Sequence, residues 1–454
     1  MRFLMVLMVG LASLTTLAQA EMLIRNVTIV DVKNGKVSKP KDVLILGDRI
    51  AQVAKPGKIK VEGITELDGA ERYLCPGLWD MHTHNMWSVS YSKHYAFNGV
   101  IGVRNMYTPM PFIKALKDSI ERGLLPGPHI LAGGRIVDGP GPFFKDWFVA
   151  DKLDKIPAIL DSIQAEGSDF VKVYDAIPAD VYFELARQAK ARGMYIAGHI
   201  PIAVSPLEAA MAGQRSFEHL FGLFDLCVKD PVIDKSRSTH WQGLVMYNEK
   251  LASAELDYKL AMENLGKLSK YNVYVCPTLS VWRNAMDPYR DFTADVELPY
   301  FDSMTQSFWA NSIKQFQREE GDPEALLVRT YDFMRQMTSV LHFAGVKMML
   351  GTDAINPYVY PGFSIHTEIQ CLQESEISDE EILKIAAWNP VEYLGLESDF
   401  GSIEKDKMAS FLILSENPLY DLGALRSMEG IVLKGYYYNR ATMDSWMKSN
   451  VSED

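Results

Sequence analysis

Leu74-Cys75-Pro76-Gly77-Leu78-Trp79-Asp80-Met81-His82-Thr83-His84 is the stretch on which the reading of this chain turns. Its apolar residues predict a buried strand. Because strand side chains alternate between faces, His82 and His84 project to the same side, close enough to share one metal ion. An H-x-H pair alone arises often by chance. What raises its value is where the other histidines and one aspartate fall.

After Pro76, short apolar runs alternate with amphipathic helical stretches, the pattern of a parallel sheet covered by helices. Candidate strands lie at 78–84, 100–106, 129–133, 170–174, 195–199, 215–219, 273–279 and 347–353. Eight such units predict an α/β fold, a (β/α)8 TIM-like barrel spanning residues 76–398. Barrels of this kind place their chemistry at the C-terminal ends of the strands. His82 and His84 end the first strand, Lys172 lies in the fourth, His199 ends the fifth, His219 the sixth and Asp353 the eighth. Four of the nine histidines therefore occupy such ends, which random placement would rarely produce.

On either side of this region the pattern is short and β-like. Runs around 23–31, 41–46 and 49–53 are separated by Asn34-Gly35 and Gly47-Asp48 turns, and β pattern returns at 410–414 and 430–435. Residues 21–75 and 399–454 are thus expected to build one small β-sandwich from both chain ends. Residues 1–20 read as a signal peptide: Arg2, an apolar run, then Ala18-Gln19-Ala20 as cleavage site, for a secreted or periplasmic protein beginning at Glu21. Residues 284–336, long, polar and aromatic-rich, read as a lid or substrate-facing insertion, or equally as a decorative helical excursion.

A net charge of -12 argues against nucleic acid and anionic membrane surfaces as partners. No run beyond the leader is long enough for stable membrane insertion. The expected partner is a small-molecule substrate, and a homo-oligomer is compatible with the sequence. Cys75, Cys227, Cys276 and Cys371 form no C-x-x-C pair and read as buried apolar residues. His94 and His240 read as solvated, and His129 and His342 as lying away from the chemistry.

Taken together, Pro76 to His84, Phe170-Val171-Lys172-Val173-Tyr174, Gly198-His199, Phe217-Glu218-His219, Pro277-Thr278-Leu279-Ser280, Gly351-Thr352-Asp353-Ala354 and Trp388-Asn389-Pro390 resemble the metal-dependent amidohydrolase superfamily, its imidazolonepropionase-like and Xaa-Pro-dipeptidase-like group. The resemblance covers nearly the whole mature chain. It implies that His82 and His84 hold one divalent metal ion and His199 and His219 a second. Lys172 would bridge the two as a carbamate formed with carbon dioxide. It further implies that Asp353 binds the first metal and shuttles the proton of a metal-bridging hydroxide. Imidazole and carboxylate ligands suit zinc first, with manganese, iron or cobalt possible. An unmodified Lys172 would instead be a buried salt-bridge or core lysine.

The implied activity is hydrolysis of a C–N bond in a dipeptide, an N-acyl amino acid or a cyclic amide. A lactone or phosphoester hydrolase and a catalytically silent metal-binding barrel are the alternatives. Tyr174, on the same strand face as Lys172, and His366 are candidate substrate contacts, although Tyr174 is equally readable as a packing aromatic. Many dipeptidase-like members carry a Gly- and His-containing loop after strand three. Here Arg135-Ile136-Val137-Asp138-Gly139-Pro140-Gly141-Pro142 stands in its place.

Overall fold

The computed structural model describes residues 21–84, 88–245, 248–287, 289–317 and 323–448. The leader at 1–20 and the Gly321-Asp322 break in the insertion lie outside the described residues. The first strand, Glu21–Asp31, buries Met22, Leu23 and Ile24 and pairs antiparallel with Lys41–Leu46. That strand turns back through Gly47, whose φ of 64° lies in the left-handed region where a Cβ is costly, and pairs with Arg49–Ala54. Further along the first strand, Thr28 and Ile29 pair in parallel with Tyr73–Pro76. Tyr73–Pro76 pairs antiparallel with Phe411–Leu414, and Gly430–Leu433 and Tyr436–Asn439 follow.

The two chain ends therefore meet as expected, but their strands form one nine-stranded sheet rather than two separate ones. The first strand is the reason: its register shifts between Ile24 and Val27, and while Lys41–Leu46 pairs on both sides of that irregularity, its parallel partner changes from Thr65–Asp68 to Tyr73–Pro76. Met22, Ile24, Val43 and Ile45 from one half pack in one apolar cluster with Phe411, Ile413 and Val432 from the other.

The larger region alternates parallel strands with helices. Leu78–His84, Val100–Tyr107 and His129–Ala132 form one parallel sheet. Val171–Val173, Ile196–Gly198, Gln214–Glu218, Tyr274–Cys276 and Lys347–Met348 form a second, extended at its edge by two-residue strands Val137–Asp138 and Phe148–Val149. The strands of the second sheet, two to five residues each, are no longer than the sequence suggests and mostly shorter, whereas Leu78–His84 and Val100–Tyr107 run the full expected length. Hydrogen bonds cross both seams between the sheets: Asp169 N donates to Ala132 O at 2.8 Å, Met81 N to Leu350 O at 2.9 Å and Asp353 N to His82 O at 2.7 Å. Gly351 makes the second seam possible, since a Cβ there would stand 2.8 Å from the His82 nitrogen and 2.4 Å from Cys276 Sγ.

Helices cover the outside. Ala179–Ala191 buries Val181, Leu185 and Ala186, the face its periodicity predicts. Residues 379–394, whose periodicity predicts one helix, form two, Asp379–Ala387 and Asn389–Leu394, because Pro390 cannot continue the first. The insertion contributes the Ser303–Phe316 helix, and Pro323–Phe343 then leads to the eighth strand. No helix among the described residues is long and apolar enough to cross a membrane. All four cysteines are buried and free.

Candidate metal centre

Six side chains from five strand ends converge on one point. His82 Nε2 lies 3.1 Å from His84 Nε2, and Asp353 Oδ1 lies 3.0 Å from His84 Nε2 and 3.5 Å from His82 Nε2. The rings of His82 and His219 are 4.5 Å apart between centres, and those of His219 and His199 4.8 Å. Lys172 is buried among them on Val171–Val173, which pairs with Val137–Asp138 and Ile196–Gly198, and its Nζ meets no hydrogen-bond partner among the described residues. Gly198 allows this approach, because a Cβ there would come within 3.0 Å of Lys172 Cδ.

The imidazoles are oriented from behind. His82 Nδ1 faces Glu218 Oε2 at 2.7 Å, His199 Nδ1 faces Asp175 Oδ1 at 2.5 Å and His219 Nδ1 faces Thr278 Oγ1 at 2.7 Å. Each carboxylate accepts a hydrogen bond from Nδ1–H and so leaves the Nε2 lone pair for the interior. Glu218 is itself held by Arg104, whose Nη2 donates to Oε1 at 2.7 Å, and by Ser216 Oγ at 2.6 Å. Asp175 Oδ2 accepts the Trp241 backbone N–H at 2.9 Å. Asp80 binds Thr352 through both oxygens, at 3.0 Å and 2.6 Å, and thereby fixes the backbone just before Asp353.

The backbone is strained where the ligands turn inward: His219, Thr278 and Asp353 have φ of 64°, 52° and 60°. Non-glycine residues in that region cost of order 1–2 kcal/mol each and persist where the surroundings hold them.

Burial governs the protonation of the cluster. It pushes His82 and His219 well below the ordinary histidine range, and lowers His199 less because Asp175 opposes it. Burial also lowers Lys172 to about 8 and raises Asp80 to about 7. Burial would likewise raise Asp175, but His199, His240 and the Trp241 N–H together hold it below the usual carboxylate range. Neutral imidazoles beside a carboxylate and a readily deprotonated amine make a donor set that fits divalent metal. The donor atoms of His82, His219 and Asp353 lie within 4.8 Å of one another. Lys172 Nζ and Asp353 Oδ1 add two buried polar atoms without hydrogen bonds among the described residues, which a cation would satisfy.

Above the cluster opens a cavity of about 500 Å³, lined at its base by His84, Lys172, His199, His219 and Asp353. Tyr174 reaches it and stacks against His199 with ring centres 4.1 Å apart. His366 does not line it; it is buried in the Ile365–Glu374 helix. The insertion does reach the cavity, through Phe308, Ser312 and Ile313 of Ser303–Phe316. Two histidines differ from their sequence reading. His94 is buried, its ring packed between Tyr300, Phe301 and Phe363, and His240 is half-buried, with Nδ1 3.7 Å from Asp175 Oδ2. Both sit in polar stretches of sequence that fold under loops from remote segments.

The supporting layer of Asp80, Arg104, Asp175, Glu218 and Thr278 was not singled out from sequence. A signal for part of it exists, since Arg104 is a charged residue inside the largely apolar strand Val100–Tyr107 and charges are almost never buried unpaired.

Residues 334–443, which include Asp353, match the model of the Amidohydrolase family. No curated protein matches the chain at a significant level. Among solved structures the chain is similar to a bottromycin amidohydrolase, with a TM-score of 0.74 and 21% identity over 95% of this chain and 91% of that one. It is also similar to a prolidase complexed with N-methylphosphonate-L-proline, with a TM-score of 0.67 and 16% identity over 92% of this chain and 99% of that one. A Xaa-Pro dipeptidase with bound methionine in the active site gives a TM-score of 0.65 and 17% identity over 92% and 99%. At these identities the likeness is one of fold. The family match is confined to the segment that carries Asp353, about a quarter of the chain.

Proposed function

We propose that this chain is an exported, metal-dependent hydrolase that cleaves a C–N bond in a small substrate, at the mouth of a closed (β/α)8 barrel. The observation that carries the reading is the convergence of His82, His84, Lys172, His199, His219 and Asp353, with Lys172 Nζ and Asp353 Oδ1 buried and without hydrogen bonds among the described residues. In this reading His82, His84 and Asp353 hold one divalent ion and His199 and His219 a second. Lys172 joins them as a carbamate, and zinc is the ion best suited to the donors. Export rests on the signal-like residues 1–20, and barrel closure on the hydrogen bonds across the two seams.

Bound metal supplies Lewis-acid polarisation of the scissile carbonyl and lowers the pKa of water to about 7. The remaining work falls to the protein. Asp175, Glu218 and Thr278 hold three imidazoles with Nε2 turned inward. The Asp353 carboxylate takes the proton of the attacking water and gives it to the departing nitrogen, which cannot leave as an amide anion. Asp80 and Thr352 fix the backbone that sets that carboxylate. The apolar cavity walls exclude bulk water from the reacting groups.

The test is metal content together with chemical rescue. The purified mature chain should carry close to two divalent ions after metal and bicarbonate supplementation. Lys172→Ala should be inactive on amides yet partly recover with a short carboxylic acid, which can occupy the vacated bridging position. One ion or none in the wild type, or full activity in the variant, removes the binuclear reading.

A further inference from the structure

The cavity is lined unevenly. A string of rings in mutual contact leads toward the metal cluster: Tyr107 stacks on Phe144 at 5.9 Å, Phe144 meets Trp147 at 5.5 Å, and Trp147 meets Tyr174 at 4.9 Å. Tyr174 in turn rests on His199. Phe144 is 55% exposed, so the string begins in solvent and ends on a buried ligand. Trp282 and Phe308 add two further rings from the Leu279–Ala285 and Ser303–Phe316 helices, and Phe308 is 57% exposed. Side chains this apolar stand open at the mouth of a cavity where a ligand is the natural cover.

The charges point the same way. Among the described lining residues the formally charged side chains are Lys172 and Asp353, both part of the cluster, while Gln242, Ser312 and Asn356 supply neutral polarity. The arginines next to lining positions Ile136 and Trp282 are committed elsewhere: Arg135 pairs with Glu166 and Arg283 with Glu374. A free ammonium or carboxylate carried among the rings would lose its hydration, and the charged groups beside the wall are already engaged: Asp146 accepts from the Tyr107 hydroxyl at 2.7 Å, and His240 Nδ1 lies 3.7 Å from Asp175 Oδ2. The segment that carries Phe144 and Trp147 is held at its two ends by the pairing of Val137–Asp138 with Phe148–Val149.

We propose that the site takes a neutral, N-acylated amide with an aromatic or similarly large apolar group lying along the ring wall, in preference to a zwitterionic dipeptide. This rests on the hydrolase reading above and narrows its substrate. Water adds across the C–N bond: the acyl carbon keeps the water oxygen, the C–N bond breaks, and the nitrogen leaves with a proton from that water. The volume of about 500 Å³ suits a ligand of that size.

The experiment compares N-benzoyl-phenylalanine anilide, which is neutral, with phenylalanyl-phenylalanine, which is zwitterionic at neutral pH. Calorimetric titration of the metal-free chain measures binding, and the metal-loaded chain measures hydrolysis. The neutral amide should bind roughly 10- to 100-fold more tightly, the penalty expected for desolvating unpaired polar groups. Phe144→Ser and Phe308→Ser, both at exposed positions, should each weaken that binding roughly 2- to 12-fold and leave the dipeptide unaffected. Equal or tighter binding of the dipeptide, no binding of either compound, or unaltered affinity in both variants overturns the proposal. If the amide binds as stated but no amide is cleaved, the hydrolase reading falls and the ligand class stands. Faster cleavage of the dipeptide leaves the hydrolase reading intact and overturns the ligand class.

Discussion

Asp175→Asn separates the orienting role of the supporting carboxylates from metal binding itself. Asp175 offers two acceptor oxygens to two donors: Oδ1 to His199 Nδ1 at 2.5 Å and Oδ2 to the Trp241 backbone N–H at 2.9 Å. Asparagine keeps the shape but has one acceptor and one donor. If its oxygen serves Trp241, its amide faces Nδ1, and His199 must carry its proton on Nε2, where the lone pair for metal is needed. If its oxygen serves His199, the Trp241 N–H is left buried and unsatisfied. Either way a charge-assisted hydrogen bond worth roughly 1.5–3 kcal/mol is lost or weakened. That corresponds to about 10- to 150-fold, close to the ~10- to 100-fold in metal affinity usually carried by such partners. Competition for zinc against a chromogenic chelator measures the affinity directly, with urea unfolding of the metal-free chain as the control for folding. A folded variant that binds zinc within twofold of the wild type would mean that Asp175 does not set the His199 tautomer.

Other perturbations address different links. Glu218→Gln leaves Arg104, fully buried, without its carboxylate, and should cost roughly 3–5 kcal/mol in urea unfolding; Arg104→Met in the same chain should restore part of it. An unchanged midpoint in the single variant would count against the pairing. Asp353→Asn should lower amide turnover by roughly 10²-fold or more while an activated aryl ester loses much less, because the ester needs no proton on its leaving group. Equal losses would leave Asp353 a role in holding metal alone. His94 is pushed down to about 3 by burial, so it stays neutral in the folded chain while the unfolded chain protonates near roughly 6.5. Its contribution is complete above that value and declines by roughly 1.4 kcal/mol per pH unit as pH falls toward the folded value. His94→Phe should flatten that slope in urea midpoints measured between about pH 7 and pH 5, and parallel slopes would exclude the effect.

The residues at the centre were readable from the chain because the rules that place them are short-ranged. Alternation within a strand puts His82 beside His84, and the end of an apolar run marks where a parallel strand presents a side chain, which picks out His199, His219 and Asp353. The same local rules located the helix at Ala179–Ala191 and the β pattern at both chain ends. They could not say that the terminal strands join one continuous sheet, because that depends on how Glu21–Asp31 changes its parallel partner where its register shifts.

The supporting layer and the cavity belong to a longer range. Arg104, Ser216, Glu218 and His82 come from three strands, and nothing within any one of them specifies which carboxylate meets which guanidinium or imidazole. His94 looks polar in its own surroundings and becomes apolar in its environment once Tyr300, Phe301 and Phe363 close around it. The ring wall is built from Tyr107, Phe144, Trp147 and Tyr174, and Phe308 reaches the same cavity from the insertion. Side-chain packing is set by neighbours in space, so the protonation states, the tautomers and the character of the cavity arise only when these remote segments meet.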